Sequence, residues 1–224
     1  MKSILRERGY ELYTRLYELN IVGIRSKSTK ANRFDDELHV FYKVNMSRWQ
    51  YHVFKITTDP GTYWLRNPMQ GQGTAILAQG QYQDAYQIGM HQGKYRALVQ
   101  RKAVTIIRDY DRDAYLDFRN GYKETGLFGI NIHRALSQGK TKYIDKFSAG
   151  CQVFENESDF EHFMQLCNKH EQLYGNVFTY TLIDFRAIRR ENFKRIAIGA
   201  FTLGLGLLGY YRHKKITKTK IDKT

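Results

Sequence analysis

The sequence predicts a mainly β domain that carries a helix near each end and is followed by a C-terminal segment of a different kind. Two observations lead to that class. Tyr and Phe are abundant, 17 and 13 among 224 residues, and large rings suit cross-strand pairs on a pleated surface. Short apolar runs with strand-like alternation recur between turn signals, with Gly71, Gly73, Gly80, Gly89 and Gly93 punctuating the middle of the chain. A hydrophobic fraction of 42% excludes a disordered chain, and the length suffices for a core without disulfides.

The elements follow in order. Leu5, Leu12, Leu16 and Leu19 share one helical face, with Tyr10, Tyr13 and Tyr17 beside it, which predicts a first helix ending at Asn20. Residues 26–33 read as a basic loop. Leu38–Val44 and Tyr51–Thr57 flank a short polar connector, as a hairpin does, and Thr58-Asp59-Pro60-Gly61 is a turn in which Pro sets φ and Gly accepts a positive one. Further strands are predicted at Thr74–Ala78, Tyr95–Val99, Val104–Arg108, Phe128–His133, Cys151–Phe154 and Val177–Leu182. One helix is announced by Ser158 and Glu161 as a capping box, by Phe160, Phe163, Met164 and Cys167 as its apolar stripe, and by Gly175 as its C-terminal cap.

The last segment differs. Ile196–Tyr211 holds 16 residues and no charge, with Arg189, Arg190, Lys194 and Arg195 before it and Arg212, Lys214 and Lys215 after it. Flanking cations can snorkel and glycines are common in membrane helices, so 186–211 is expected to supply a short transmembrane helix and 212–224 a basic tail that meets anionic lipid. A buried helix or an oligomer contact is the alternative. The formal net charge is +14, yet residues 186–224 alone hold 11 Lys/Arg against 2 Asp/Glu. The body is therefore only mildly basic, which argues against a specific nucleic-acid partner. Met1–Glu7 has no apolar run behind it, so no secretory signal is expected there. Two cysteines make neither a disulfide framework nor a structural zinc site.

The chemistry-bearing stretch is Gly126–Phe154. A strand ends in His133, a Lys-rich loop follows, and Ser148-Ala149-Gly150-Cys151 leads into the next apolar run. A cysteine nucleophile needs a base to take its proton, small neighbours that admit a carbonyl, and backbone N–H groups for the oxyanion. His133, Gly150 and the N–H groups around Gly150 and Cys151 fit these needs. Arg134, Lys140, Lys142 and Lys146 are expected to favour a thiolate and an anionic substrate. Cys167, on the apolar face of a helix, is expected to be structural.

Ile-His, a loop, then Ser-x-Gly-Cys resembles the active-site signature of the L,D-transpeptidase (YkuD-type) catalytic family, carried here by His133, Ser148, Gly150 and Cys151 over about residues 60–183, with Gly73–Leu77 upstream. The resemblance implies a mainly β, sandwich- or barrel-like catalytic domain over 1–185. In it Cys151 attacks a peptidoglycan stem peptide at the carbonyl of a diamino acid's L-centre and forms a thioester. His133 acts as base and then acid, and Ser148 orders the loop or oxyanion site. It implies no cofactor and no metal. Transfer to a second stem makes the protein a transpeptidase; transfer to water makes it a peptidase. Three positions depart from the family: Arg134 replaces Gly, Ala149 replaces His, and Gln152 replaces Arg. Arg134, Gln152 and Lys146 are the expected substrate contacts. The expected location is the membrane, with the domain facing the peptidoglycan. The alternative is a non-catalytic peptidoglycan-binding or virion- and lysis-associated module of the same fold.

Asp109, Asp111, Asp113 and Asp117 have the spacing of a calcium loop. Ala114 stands where the glycine belongs and Asn120 where the final Glu belongs, so a solvated acidic turn is the expectation. His39, His52 and His91 read as ordinary sheet or loop residues, and His162 and His170 are too far apart in the chain to form a ligand pair.

Overall fold

The structure is a computed structural model that describes residues 1–118 and 121–186. The strands are β1 (Asn20–Arg25), β2 (Asp36–Lys43), β3 (Trp49–Thr57), β4 (Thr74–Leu77), β5 (Gly80–His91), β6 (Tyr95–Gln100), β7 (Val104–Asp109), β8 (Lys123–Gly126), β9 (Ile132–Arg134), β10 (Gln152–Phe154) and β11 (Phe178–Asp184). The helices are α1 (Lys2–Glu7), α2 (Thr62–Arg66) and α3 (Glu157–Tyr174).

Eight strands close a barrel in the order β1-β11-β5-β6-β9-β10-β3-β2, and β4, β7 and β8 form a second sheet. Two junctions of the barrel are parallel, β1 with β11 and β9 with β10. A parallel pair cannot be closed by a tight turn. The chain therefore leaves β9 and travels through residues 135–151 before returning as β10. That crossover brings the Cys151 turn back beside the His133 strand.

Alternation fills the barrel. Ile21, Leu38, Val40, Phe54, Ile56, Tyr86, Leu98, Ile132, Phe154, Tyr180 and Leu182 belong to one buried cluster. Helix α3 lays Phe160, Phe163, Met164 and Cys167 against it, with Phe154 and Phe163 ring centroids 5.2 Å apart. Truncating Phe163 to alanine would cost about 3–5 kcal/mol.

Most predicted strands form close to their expected bounds, and Gly175 caps α3 at φ +86. Several expectations are corrected. The first helix stops at Glu7; Leu16 pairs with Lys43 as an isolated bridge, Tyr17 adopts φ +60, and Asn20 opens β1. The leucine periodicity is satisfied instead by Leu5 and Leu19, which bury separately. The α3 cap is Asn156, whose side chain accepts from the Ser158 N–H, so the predicted Ser158–Glu161 box begins two residues late. Strands β1, β5 and β8 and helix α2 were not anticipated. Among the described residues no helix is long and apolar enough to cross a membrane. The expected transmembrane run Ile196–Tyr211 and the basic tail lie outside the described residues.

Candidate functional site

Strand register sets the site. In the parallel β9–β10 pair, Gln152 is opposite Ile132 and Val153 is opposite His133. Side chains alternate along a strand. Ile132 and Gln152 therefore point into the barrel, where both are fully buried. Asn131, His133, Cys151 and Val153 point to the outer face. Cys151 stands level with Asn131, two residues from His133, about 6.6 Å of strand rise.

The turn before Cys151 is held from several sides. Ser148 Oγ accepts from the Gly150 N–H at 3.1 Å and donates to the Cys151 carbonyl at 2.8 Å. The Ser148 carbonyl accepts from the Gly61 N–H at 2.9 Å. Gly150 has φ +124, and a Cβ there would lie 2.4 Å from the Ala75 carbonyl of β4, so the position requires glycine. Gln152 Nε2 donates to the Gly150 carbonyl, and Tyr180 Oη donates to Gln152 Oε1 at 2.9 Å. Cys151 Sγ donates to the Gly129 carbonyl and accepts from the Asn131 N–H, each at 3.4 Å.

His133 is buried, and its Nδ1 lies 2.8 Å from the Arg134 carbonyl. A carbonyl only accepts, so Nδ1 carries the proton and Nε2 keeps its lone pair. Tyr95 Oη also reaches Nδ1, at 3.3 Å, and donates to the Arg134 carbonyl. The His133 ring stacks on His91 with centroids 4.0 Å apart. Burial, and then the neighbouring His91, lower the His133 pKa to about 3. Burial raises that of Cys151 to about 11, partly offset by the Asn131 N–H. The resting pair is thus a neutral thiol and a neutral imidazole. Among the described residues no hydrogen bond joins them, and the expected thiolate is not the resting form. The loop cations do not reverse this. The Lys146 ammonium lies over the Tyr63 ring at 4.4 Å, and that of Lys142 lies over Tyr143.

The other expected site residues divide. Ser148 and Gly150 sit in the turn, with the Gly150 N–H committed to Ser148. Of the two oxyanion donors expected, only the Cys151 N–H has no partner among the described residues. Gln152 is fully buried, so the expected substrate contact there is corrected to support of the turn from inside the barrel. Arg134 lies over the Tyr95 ring at 4.5 Å and donates through Nη1 to the Ser137 carbonyl, while its Nε is buried without a partner. A pocket of about 180 Å³ flanks Ala149, bounded by Trp64, Gln70, Thr74, Arg108 and Phe128. Lys146 borders a separate open groove of about 600 Å³ with Tyr63, Arg66 and Asp145.

Sequence reasoning missed Asn131, Tyr95 and His91. His91, read there as ordinary, faces Tyr95 across the β5–β6 turn and packs on the His133 ring. The signal was local: in His91-Gln92-Gly93-Lys94-Tyr95 a Gly-containing turn brackets two residues that pair across a hairpin. In the acidic loop Asp109 Oδ2 accepts from the Asp117 N–H, Asp111 from that of Asp113, and Asp113 from that of Tyr115. These side chains serve the loop's own backbone. Among the described residues no group of three or more His, Cys, Asp or Glu is placed to hold a metal ion. Compared with known proteins, the chain matches no family model, no curated protein and no solved structure.

Proposed function

We propose that the chain is a cysteine acyltransferase of L,D-transpeptidase type acting on peptidoglycan stem peptides. The observation that carries the reading is the parallel β9–β10 junction: it sets His133, with Nε2 unprotonated, on the same face as Cys151, whose turn is fixed at Gly150. A thiol with a pKa near 11 is a poor nucleophile at rest. Its proton therefore leaves during attack, to His133 Nε2 as general base, and no standing ion pair is needed. Sulfur bonds to the carbonyl carbon, the Cys151 N–H faces the developing oxyanion, and the C–N bond to the D-residue breaks as His133 returns the proton to the leaving amine. A second amine, or water, then cleaves the thioester. Ser148 and Gln152 hold the turn through these steps.

The test is intact-protein mass spectrometry after incubation with muropeptides bearing tetrapeptide stems. A mass increment on Cys151, lost in Cys151→Ala, supports the reading, and identical spectra for the two proteins overturn it. One observation favours the second reading, a binding module of the same fold: the Gly150 N–H is already committed to Ser148. Retention of muropeptides by both proteins, with no covalent adduct on either, would select that reading.

A further inference from the structure

His91 has no part in the chemistry above, yet its ring stacks on that of the base. Its surroundings fix its protonation. The Gln100 backbone N–H donates to Asn131 Oδ1 at 2.9 Å. This orients the Asn131 amide, so Nδ2 is the atom that donates to His91 Nδ1 at 3.0 Å. His91 Nδ1 is therefore an acceptor, and the neutral ring carries its proton on Nε2. The same Asn131 gives its backbone N–H to Cys151 Sγ. One residue thus ties the nucleophile to the ring that stacks on the base.

We propose that His91 is a positioning residue that takes the first proton of the stacked histidine pair and thereby switches off His133 and releases Asn131. The inference rests on the acyltransferase reading of Cys151 and His133. A proton on His91 enters at Nδ1, where it meets the Asn131 amide hydrogens and breaks that bond. It also puts a positive charge 4.0 Å from the His133 ring, in a site where both imidazoles are buried. Like charges that close, with little water between them, disfavour a second protonation. His133 then cannot take the thiol proton.

The groups facing His91 are Lys94 on its own turn, Tyr95 on β6 at 5.5 Å between ring centroids, and His133 and Asn131 from the β9 side, with the Arg134 guanidinium over the Tyr95 ring. The two imidazoles are the only histidines among these groups and no carboxyl is among them, so the acid behaviour of the site belongs to the pair. Burial lowers both pKa values, with Lys94 adding to the effect at His91 and His91 adding to it at His133. The Asn131 amide favours a neutral His91 and the Arg134 carbonyl a charged His133, but burial outweighs both and holds His133 down to about 3, so His91 at the hairpin tip takes the proton first.

Two measurements test this. The first is ¹⁵N-histidine NMR of the intact protein through an acid titration. His91 should protonate below the ordinary histidine value, with His133 remaining the Nδ1–H tautomer at that point. Protonation of His133 before His91, or of both at the ordinary value, overturns the proposal. The second is the pH profile of Cys151 acyl-enzyme formation in His91→Phe, which keeps an aromatic ring against His133 without a titrating nitrogen. The acid limb should move down by about one pH unit or more; a uniform loss of rate with an unmoved limb overturns the proposal. The NMR arm needs no activity, so failure of the acyltransferase reading leaves it decisive.

Discussion

The two cysteines of the chain sit in opposite kinds of environment. Cys167 is fully buried on α3 among hydrocarbon, in the cluster that fills the barrel. Cys151 is partly exposed at the mouth of β10, with a carbonyl on one side of its sulfur, an N–H on the other, and a turn behind it built from hydrogen bonds. Burial raises the pKa of both thiols, so acidity does not tell them apart. Access and neighbours do. The proposed reaction needs a cysteine that substrate can reach and whose proton has somewhere to go.

The largest effect should be in alkylation. Iodoacetamide acts on the thiolate, and at a pKa of about 11 roughly one Cys151 in ten thousand is ionised at pH 7. Labelling of Cys151 should climb about tenfold per pH unit from 7 to 10, while Cys167 stays unlabelled until the protein unfolds. Site-resolved mass spectrometry reads both. Fast labelling of Cys151 at neutral pH would mean a standing thiolate and would replace the proposed general-base step with an ion pair. Labelling of Cys167 in the native protein would erase the contrast.

Gly150→Ala comes next. The substitution forces a Cβ to 2.4 Å from the Ala75 carbonyl at φ +124, and the obstacle is backbone, which cannot swing aside as a side-chain tip can. The turn must shift, and a displacement near 1 Å at a nucleophile costs on the order of 10²-fold in rate. Because Cys167 lies elsewhere in the fold, its protection from alkylation should be unchanged. An alanine variant with wild-type acyl-enzyme formation would show that the turn is not what positions the sulfur.

These positions were partly legible in the sequence. The strands around the site were found because they alternate and end at turn residues: β2, β3, β7 and β11 lie close to their expected bounds. Strand β1 was missed because Asn20 reads as a helix stop, although its side chain bonds Tyr13 and Phe41 backbone groups at the start of a strand. Strand β5 was missed because its glycines look like punctuation. Gly89 is there for the facing strand: a Cβ would meet Val99 Cγ2 at 2.6 Å. The Ser148-x-Gly150-Cys151 spacing was readable because a turn is local. The pairing of His91 with Tyr95 was readable for the same reason, but what Gln152 supports and what His91 packs on were not. One depends on Tyr180 crossing the barrel interior and the other on a hairpin folding against β9, contacts made by residues tens of positions apart.

The smallest expected effect separates the two cysteines by what lies behind them. No buried ion pair backs Cys167 among the described residues, whereas the Cys151 turn leans through Gly61 on a buried ionic cluster. Arg25 Nε pairs with Asp59 Oδ1 at 2.8 Å and its Nη2 donates to the Thr58 carbonyl. Thr58 donates through N and Oγ1 to Asp36 Oδ2, and the Ser26 N–H donates to Asp36 Oδ1. Asp59 pairs with the guanidinium directly, and Asp36 feels its charge without pairing with it. Burial, and then the Asp59 charge, raise the Asp36 pKa to about 7, against the pull of the Ser26 N–H and Arg25. The folded protein therefore holds a proton that the unfolded chain has lost between about pH 4 and pH 7. Through that window the Asp36 contribution to stability falls as pH rises, and above it the contribution is constant. Buried His133 and the other histidines with lowered pKa values act in the opposite sense below about pH 6.5, and Asp109, raised to about 6, acts in the same sense, so the wild-type curve alone mixes them all. Subtracting the denaturation free energy of Asp36→Asn isolates the carboxyl. The difference, wild type minus variant, should decline from pH 4 to 7 with a slope of at most about 1.4 kcal/mol per unit and then flatten. A difference that stays level from pH 4 to 7 would mean that Asp36 is ionised throughout, and that the turn beneath Cys151 rests on two full negative charges.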